Sequence, residues 1–393
     1  MNRALPLFGV AILALTSCAR TGDTLAAGPD FGKRLQEALI TAKPGALIQL
    51  PEGKFDLDRE LSLTVDSVTI RGKGMEKTIL SFKNQKSGSA GLLATGNSFT
   101  IEDLTIEDTK GDALKINGAT GVAIRHLKTQ WTGGPKETNG SYGIYPVQCT
   151  KVLIEDSVAI GASDAGIYVG QSKQIIVRRN RAEFNVAGIE IENSVNADVE
   201  NNVATNNTGG LLVFNLPDLP VQGGAFTRVY ENNVVGNNTP NFAPKGNIVA
   251  KVPAGTGIMV MSTHDIEIFK NVLKDNETAN VSLLSYLTTG NPLKDAKYDP
   301  FVESISIHDN TISGGGNKPA GRALDLAKVL GSPVPSIIYD GVMRPKTANA
   351  KICIQNNGGA TFIDYDAGHE FKAPNRDLAA HGCVLPPLEA VKM

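Results

Sequence analysis

Between Val152 and Asn202 apolar and polar residues alternate in short runs, and the runs recur. VLIEDSVAIGASDAGIYVGQSKQ, IIVRRNRAEFNVAGIEIENSVN and ADVENNVATNNTGGLLVFN are near-copies of one unit. Ile154, Val177 and Val199 stand 23 and 22 residues apart, and a second set, Ile167, Ile189 and Leu211, stands 22 and 22 apart. Alternation with period two predicts strands. A fixed period of this length predicts stacked repeats whose apolar faces only their neighbours can bury. The first landmark extends to Ile70, Ile101, Ile124, Ile154, Val177, Val199, Tyr230, Ile268, Ile307 and Ile354, or about ten turns of an all-β solenoid. Three residues past the later landmarks stand Asn180, Asn202, Asn233, Asn271, Asn310 and Asn357, which are expected to stack their amides in a structural ladder.

Upstream, FGKRLQEALITA places Phe31, Leu35, Leu39 and Ile40 on one helical face, and Pro44 and Gly45 end it. Strands follow over 46–65, with a turn at 51–53. Downstream, 314–350 interrupts the repeat with a short amphipathic helix at Arg322–Leu330 and prolines at 333, 335 and 345. The helix, strand and Pro-x-Gly turn resemble the N-terminal cap of secreted right-handed parallel β-helices. Over roughly residues 30–365 the chain resembles the right-handed parallel β-helix repeat superfamily, which is pectate lyase-like and includes alginate and chondroitin lyases, polygalacturonases and alginate epimerases. Within it, the nearest likeness is to bacterial parallel β-helix lipoproteins of unestablished function. The resemblance implies an all-β, single-stranded right-handed parallel β-helix with a short N-terminal capping helix.

Arg3 and the apolar run Leu5–Leu15 read as a targeting segment, too short to span a bilayer. Its end, Leu15-Thr16-Ser17-Cys18, resembles the lipobox of bacterial lipoproteins, which implies cleavage before Cys18 and lipidation of its thiol. A plain secretory signal with an incidental Cys18 is the other reading. Ala19 after the cysteine resembles lipoproteins sorted to the outer membrane, facing the periplasm. The expected organisation is a signal peptide at 1–17, a tether at 18–29, a β-helix at 30–365 with its cap at 30–66, and a C-terminal tail or cap at 366–393. In an oxidising compartment a Cys353–Cys383 disulfide would pin the tail to the last repeat, with Cys149 a buried thiol. Lys plus Arg number 38 against 40 Asp plus Glu, so nothing marks a nucleic-acid partner. No cofactor or metal is expected; Ca2+ is not excluded but no motif indicates it.

Longer turns carry their extra residues on either side of a second strand, marked by Leu114, Ile144, Ile167, Ile189, Leu211, Ile258 and Val281. Loops at 128–141, 215–227, 239–255 and 287–303 would then wall a groove whose floor is that sheet, or would simply shield it. Alternation turns Lys115, Tyr145, Tyr168, Glu190, Leu212 and Met259 outward in one column, with Glu192, Phe214 and Met261 beside it. Gln148, Gln171, Asn193, Asn215 and Ser262 follow the strands as a polar column.

Tyr145, Tyr168 and Trp131 offer flat faces suited to sugar rings. Gln148, Gln171 and Asn193 are candidate hydroxyl readers, and His264 is a candidate acid/base group. Glu190 and Glu192 on one strand suit glycoside hydrolysis, and Lys115 or Arg178/Arg179 suit a lyase; two solvated carboxylates are the plainer reading. Tyr142-Gly143-Ile144-Tyr145-Pro146-Val147 sits like the Tyr-Gly-Phe-Asp-Pro-His motif of alginate epimerases. Tyr145 replaces its Asp and Val147 its His, so that acid/base pair does not carry over. The functional expectation is a lipid-anchored β-helix that binds, and is a candidate to modify, a polysaccharide. The alternative is a scaffold docking another cell-envelope protein through Leu212, Phe214, Met259 and Met261.

Overall fold

The computed structural model describes residues 24–346 and 350–393, so Cys18 and the signal segment lie outside the described residues. Two parallel sheets wrap one apolar core, and among the described residues they hold nineteen and eleven strands. The chain is a right-handed parallel β-helix. The eleven-stranded sheet, here the floor sheet, runs Arg59–Leu63, Ser87–Ala94, Asp112–Asn117, Tyr142–Val147, Ala165–Gly170, Ala187–Glu192, Gly209–Phe214, Thr256–Met261, Ala279–Leu284, Ile337–Tyr339 and Phe362–Asp364. The other, the back sheet, carries the first landmark of every turn.

In the floor sheet the expected register holds throughout: Leu114 opposes Ile144, which opposes Ile167, then Ile189, Leu211, Ile258 and Val281 follow in line. The back sheet departs from expectation at one rung. Val229, not Tyr230, opposes Val199 and Ile268, and it is Val229 that is fully buried. Tyr230 faces out and stacks on Phe269, centroids 4.8 Å apart. The stack also starts earlier than expected, because Ile48 already opposes Ile70.

The asparagine ladder follows the same shift. Asn180, Asn202, Asn232, Asn271, Asn310 and Asn357 pass one amide bond rung to rung, each 2.8–3.0 Å long. Asn232 therefore stands where Asn233 was expected. The residue before each, such as Arg179 and Glu231 with φ of 54° and 55°, is left-handed. That bend turns the asparagine inward, where it satisfies backbone groups the corner would orphan. A second ladder, unforeseen, links Asn185, Asn207, Asn237, Asn276 and Asn280 at 2.8–3.1 Å. It explains the Gly before Ile167, Ile189, Leu211 and Ile258: a Cβ on Gly188, for one, would meet the Asn207 amide nitrogen at 2.9 Å and the Gly210 carbonyl at 2.6 Å.

At the N-terminal end the helix Phe31–Thr41 buries Phe31, Leu35 and Leu39 on the first turn. Ile40 does not join them and is 66% exposed. The stretch expected as tether is already anchored at its end, since Thr24 bridges Gln49 and Leu25 N–H donates to the Gln49 carbonyl at 2.8 Å. The interruption at 314–350 contains the helix Arg322–Leu330 and returns a strand, Ile337–Tyr339, to the floor sheet. After the Cys353–Cys383 disulfide the tail runs back over the back sheet. There Leu388 N–H donates to Glu267 and Val391 N–H to Asp198, both at 3.1 Å.

Candidate functional site

Parallel register puts successive outward side chains of the floor sheet about 4.8 Å apart. One column reads Lys115, Tyr145, Tyr168, Glu190, Leu212, Met259 and Ser282; its neighbour reads Gly170, Glu192, Phe214, Met261 and Leu284. The face is therefore polar toward the N-terminal end and apolar beyond the Ala187–Glu192 strand.

The loops do more than wall this face. Asn193 holds the 215–224 loop by donating to the Leu216 and Val221 carbonyls at 3.0 and 3.2 Å. Tyr298 donates to the Asn215 carbonyl at 2.6 Å, Gln222 bonds Asp295, and Lys251 donates to the Thr289 carbonyl at 3.3 Å. These three excursions are knitted together, so what sequence reading left as an open floor is largely roofed. Leu212, Phe214, Met259 and Met261 are buried beneath it with Val249, Val252, Tyr286 and Tyr298. They offer no exposed docking patch, which corrects the alternative expectation.

Glu190 and Glu192 do point away from the coil's core, but they are not solvated: 1% and 6% of each is exposed. Tyr168 lies beside Glu192 and Tyr142 beside Asp164, each pulling its carboxyl toward the ionised form. Glu190 Oε1 and Asp164 Oδ1 have no partner. Burial first, then the neighbouring carboxyls, pushes Asp164 and Glu190 up from the ordinary carboxylate range. Burial lifts Glu192 to about 7 against the pull of Tyr168, and lifts Asp112, beside Lys115, to about 6. All four therefore hold their protons further up the pH scale than free carboxyls do.

Beside them lie Tyr142, Tyr145 and Tyr168, with ring centroids 4.3–4.9 Å apart, and Lys115 Nζ sits 4.8 Å over the Tyr145 ring. Tyr142 and Tyr145 are half-buried and can still offer a face; Tyr168 is 4% exposed and cannot. Trp131 is no platform either. Its ring is buried in the core, with Nε1 donating to the Thr109 carbonyl at 2.8 Å. Gln148, Gln171 and Asn193 occupy left-handed bends, φ 45–56°, where the chain leaves the floor sheet. Asn193 is spent on the loop, and Gln171 accepts from Val221 N–H at 3.1 Å, while Gln148 stays exposed.

His264 lies on the back sheet, its Nδ1 2.7 Å from Asp265, and does not reach the carboxyls. Arg178 and Arg179 are likewise elsewhere, clamping Glu155. Cys149 is a buried free thiol.

Sequence reading missed Asp112, Asp164 and Tyr142. Asp164 was findable: its own repeats carry Val186 and Thr208 at that place, so a carboxyl there breaks the repeat. Among the described residues no group of three or more His, Cys, Asp or Glu is placed to hold a metal ion.

Residues 68–226 match the family described as "Right handed beta helix region". Among solved structures, the A-module of mannuronan C-5 epimerase AlgE4 from Azotobacter vinelandii is similar, with a TM-score of 0.57 and 20% identity over 86% of this chain and 92% of that one. The AlgE6 A-module of the same organism gives 0.48 and 16%, covering 82% and 88%. The catalytic unit of a GH87 α-1,3-glucanase from Streptomyces thermodiastaticus gives 0.48 and 14%, covering 85% and 52%. At such identities the likeness is one of fold. No curated protein matches the chain.

Proposed function

We propose that this right-handed parallel β-helix protein is held at the outer membrane by a lipid on Cys18 and binds and hydrolyses a polysaccharide at the polar half of its floor sheet. The observation that carries the reading is the buried carboxyl set under half-buried tyrosines. Asp164 lies near enough to Glu192 for the Glu192 charge to raise it, and burial lifts Glu192 itself to about 7. In the proposed chemistry one of the two carries the proton and the other is ionised, giving one acid and one base from two like groups. The acid protonates the glycosidic oxygen as its bond to the sugar breaks. The other carboxylate takes a proton from the attacking water. Tyr145, with Lys115 above it, is the platform for a sugar ring.

The electrostatics favour a neutral glycan. Asp112, Asp164, Glu190 and Glu192 crowd this face, and Lys115 stands beside Asp112. A polyuronate would add like charge where charge is already unfavourable. That separates this site from the mannuronan-directed chemistry for which the AlgE4 A-module is named, although that name does support a glycan as the ligand class.

The test is incubation with neutral glucans and chitin fragments alongside alginate, pectin, chondroitin and peptidoglycan glycans, reading new reducing ends. The account expects release from a neutral glycan, with a bell-shaped pH profile, and a loss of roughly 100-fold or more in Glu192→Gln and in Asp164→Asn. Activity should sediment with membranes and become soluble in Cys18→Ser. Unsaturated products from a uronate alone, or undiminished turnover in both carboxyl variants, would remove the reading.

A further inference from the structure

The apolar half of the floor sheet leads away from the carboxyls into a cavity of about 850 Å³, and Glu190 lines its near end. We infer that this cavity holds a hydrocarbon chain carried by the glycan, so that the substrate is an acylated or otherwise lipid-bearing saccharide; the inference rests on the glycan reading above. Its floor is Phe214, Met259, Met261 and Leu284, and its roof comes from separate excursions that include Val252 and Leu326.

Bare sugar is a poor occupant. Its hydroxyls would leave water for walls that return few hydrogen bonds, an unfavourable exchange for each group left unpaired. A protein element is a poor occupant as well. A helix with its side chains is about 10–12 Å across. This cavity is roofed by the chain itself and falls within the range of small-molecule pockets, about 300–1,000 Å³. An apolar chain fits both limits.

Two features tie that chain to a saccharide rather than to a free fatty acid. Glu190 belongs to both the cavity and the carboxyl site, so a ligand filling one end continues into the other. The cation at the cavity, Lys251, already donates to the Thr289 carbonyl and to Asn291, so no unengaged ammonium waits there for a carboxylate. Phe371, 60% exposed and stacked on Tyr365, adds an apolar lip at the mouth.

Calorimetric titration with dodecyl maltoside below its micelle-forming concentration tests this, with maltose and dodecanoate as separate arms. Wild type should bind dodecyl maltoside at least ten-fold more tightly than either. Met261→Trp, which fills the cavity, and Leu284→Gln, which makes its floor polar, should each weaken binding ten-fold or more at unchanged melting temperature. Lys173→Ala, at an exposed position on the back sheet, should leave it intact. Absence of saturable binding, or equal binding by a correctly folded Met261→Trp or Leu284→Gln protein, would overturn the inference; so would dodecanoate binding as tightly as the maltoside. Hydrolysis of unsubstituted neutral glycan without dodecyl maltoside binding would sink the cavity assignment alone. Chain binding without any glycan turnover would support the cavity and sink the hydrolase reading.

Discussion

At the scale of the residue, Glu190 decides most. Alternation along AGIEIE correctly turns it out of the coil's core, yet period two reports only the face a side chain takes. Whether another layer covers that face depends on loops dozens of residues away, and here it does. The consequence is a set of carboxyls whose proton affinity is higher folded than unfolded. Glu192 and Asp340 rise to about 7, both through burial first, and Asp112 rises to about 6. For an acid with a raised folded pKa, the folded state holds the proton longer, so stability is greatest below the unfolded value near 4. It then falls as pH climbs toward 7. Thermal melting should therefore drop by roughly 5 °C or more between pH 5 and pH 8. Glu190→Gln, which has no proton to lose, should flatten that slope and raise the melting temperature at pH 8. A flat profile in wild type would contradict the assignment of buried, protonated carboxyls. Glu155 pulls the other way only at low pH: burial would raise it, but hydrogen bonds from Arg125, Arg178 and Arg179 hold it at about 2.

At the scale of the element, the floor strands were legible to the residue because a glycine (Gly143, Gly166, Gly188, Gly210 or Gly257) marks the position before the inward Ile or Leu even where apolar residues adjoin it. The back-sheet rung at Arg228-Val229-Tyr230 was not, because two adjacent apolar residues admit either register. Tyr230 finds its stabilisation outside, stacked on Phe269 and beneath Arg228, whose guanidinium carbon lies 4.7 Å from the ring centroid. The shift has a sharp test. Asn232 donates to the Val199 carbonyl at 2.8 Å and to Asn271 at 3.0 Å from within the core, whereas Asn233 is exposed. Asn232→Ala should cost about 2–4 kcal/mol in chemical denaturation, since it strands buried partners on both neighbouring rungs. Asn233→Ala should cost under about 1 kcal/mol. The reverse order would restore the register expected from sequence. The second ladder escaped notice because its asparagines lie at a different corner of the coil from the first.

At the scale of the whole molecule, loop placement was the most informative signal in the sequence and also the most incomplete. Insertions before and after the second strand do gather over one sheet, but their lengths could not say that Asn193, Tyr298 and Lys251 would tie them into a roof. The opposite sheet receives the C-terminal tail instead, pinned through Cys383 and by bonds reaching back to Glu267 and Asp198. One face is thus sealed by the chain's end. The other keeps an apolar cavity lined at one point by Glu190 of the carboxyl set, and the proposed activity depends on the glycan lying against that set. A crystal soaked with the oligosaccharide that the protein hydrolyses, using Glu192→Gln to hold it uncut, tests this most directly. The account predicts a sugar ring over Tyr145 and a glycosidic oxygen within hydrogen-bond reach of residues 164 and 192. Sugar bound on the back sheet, or at the coil's ends with the floor sheet empty, would contradict it.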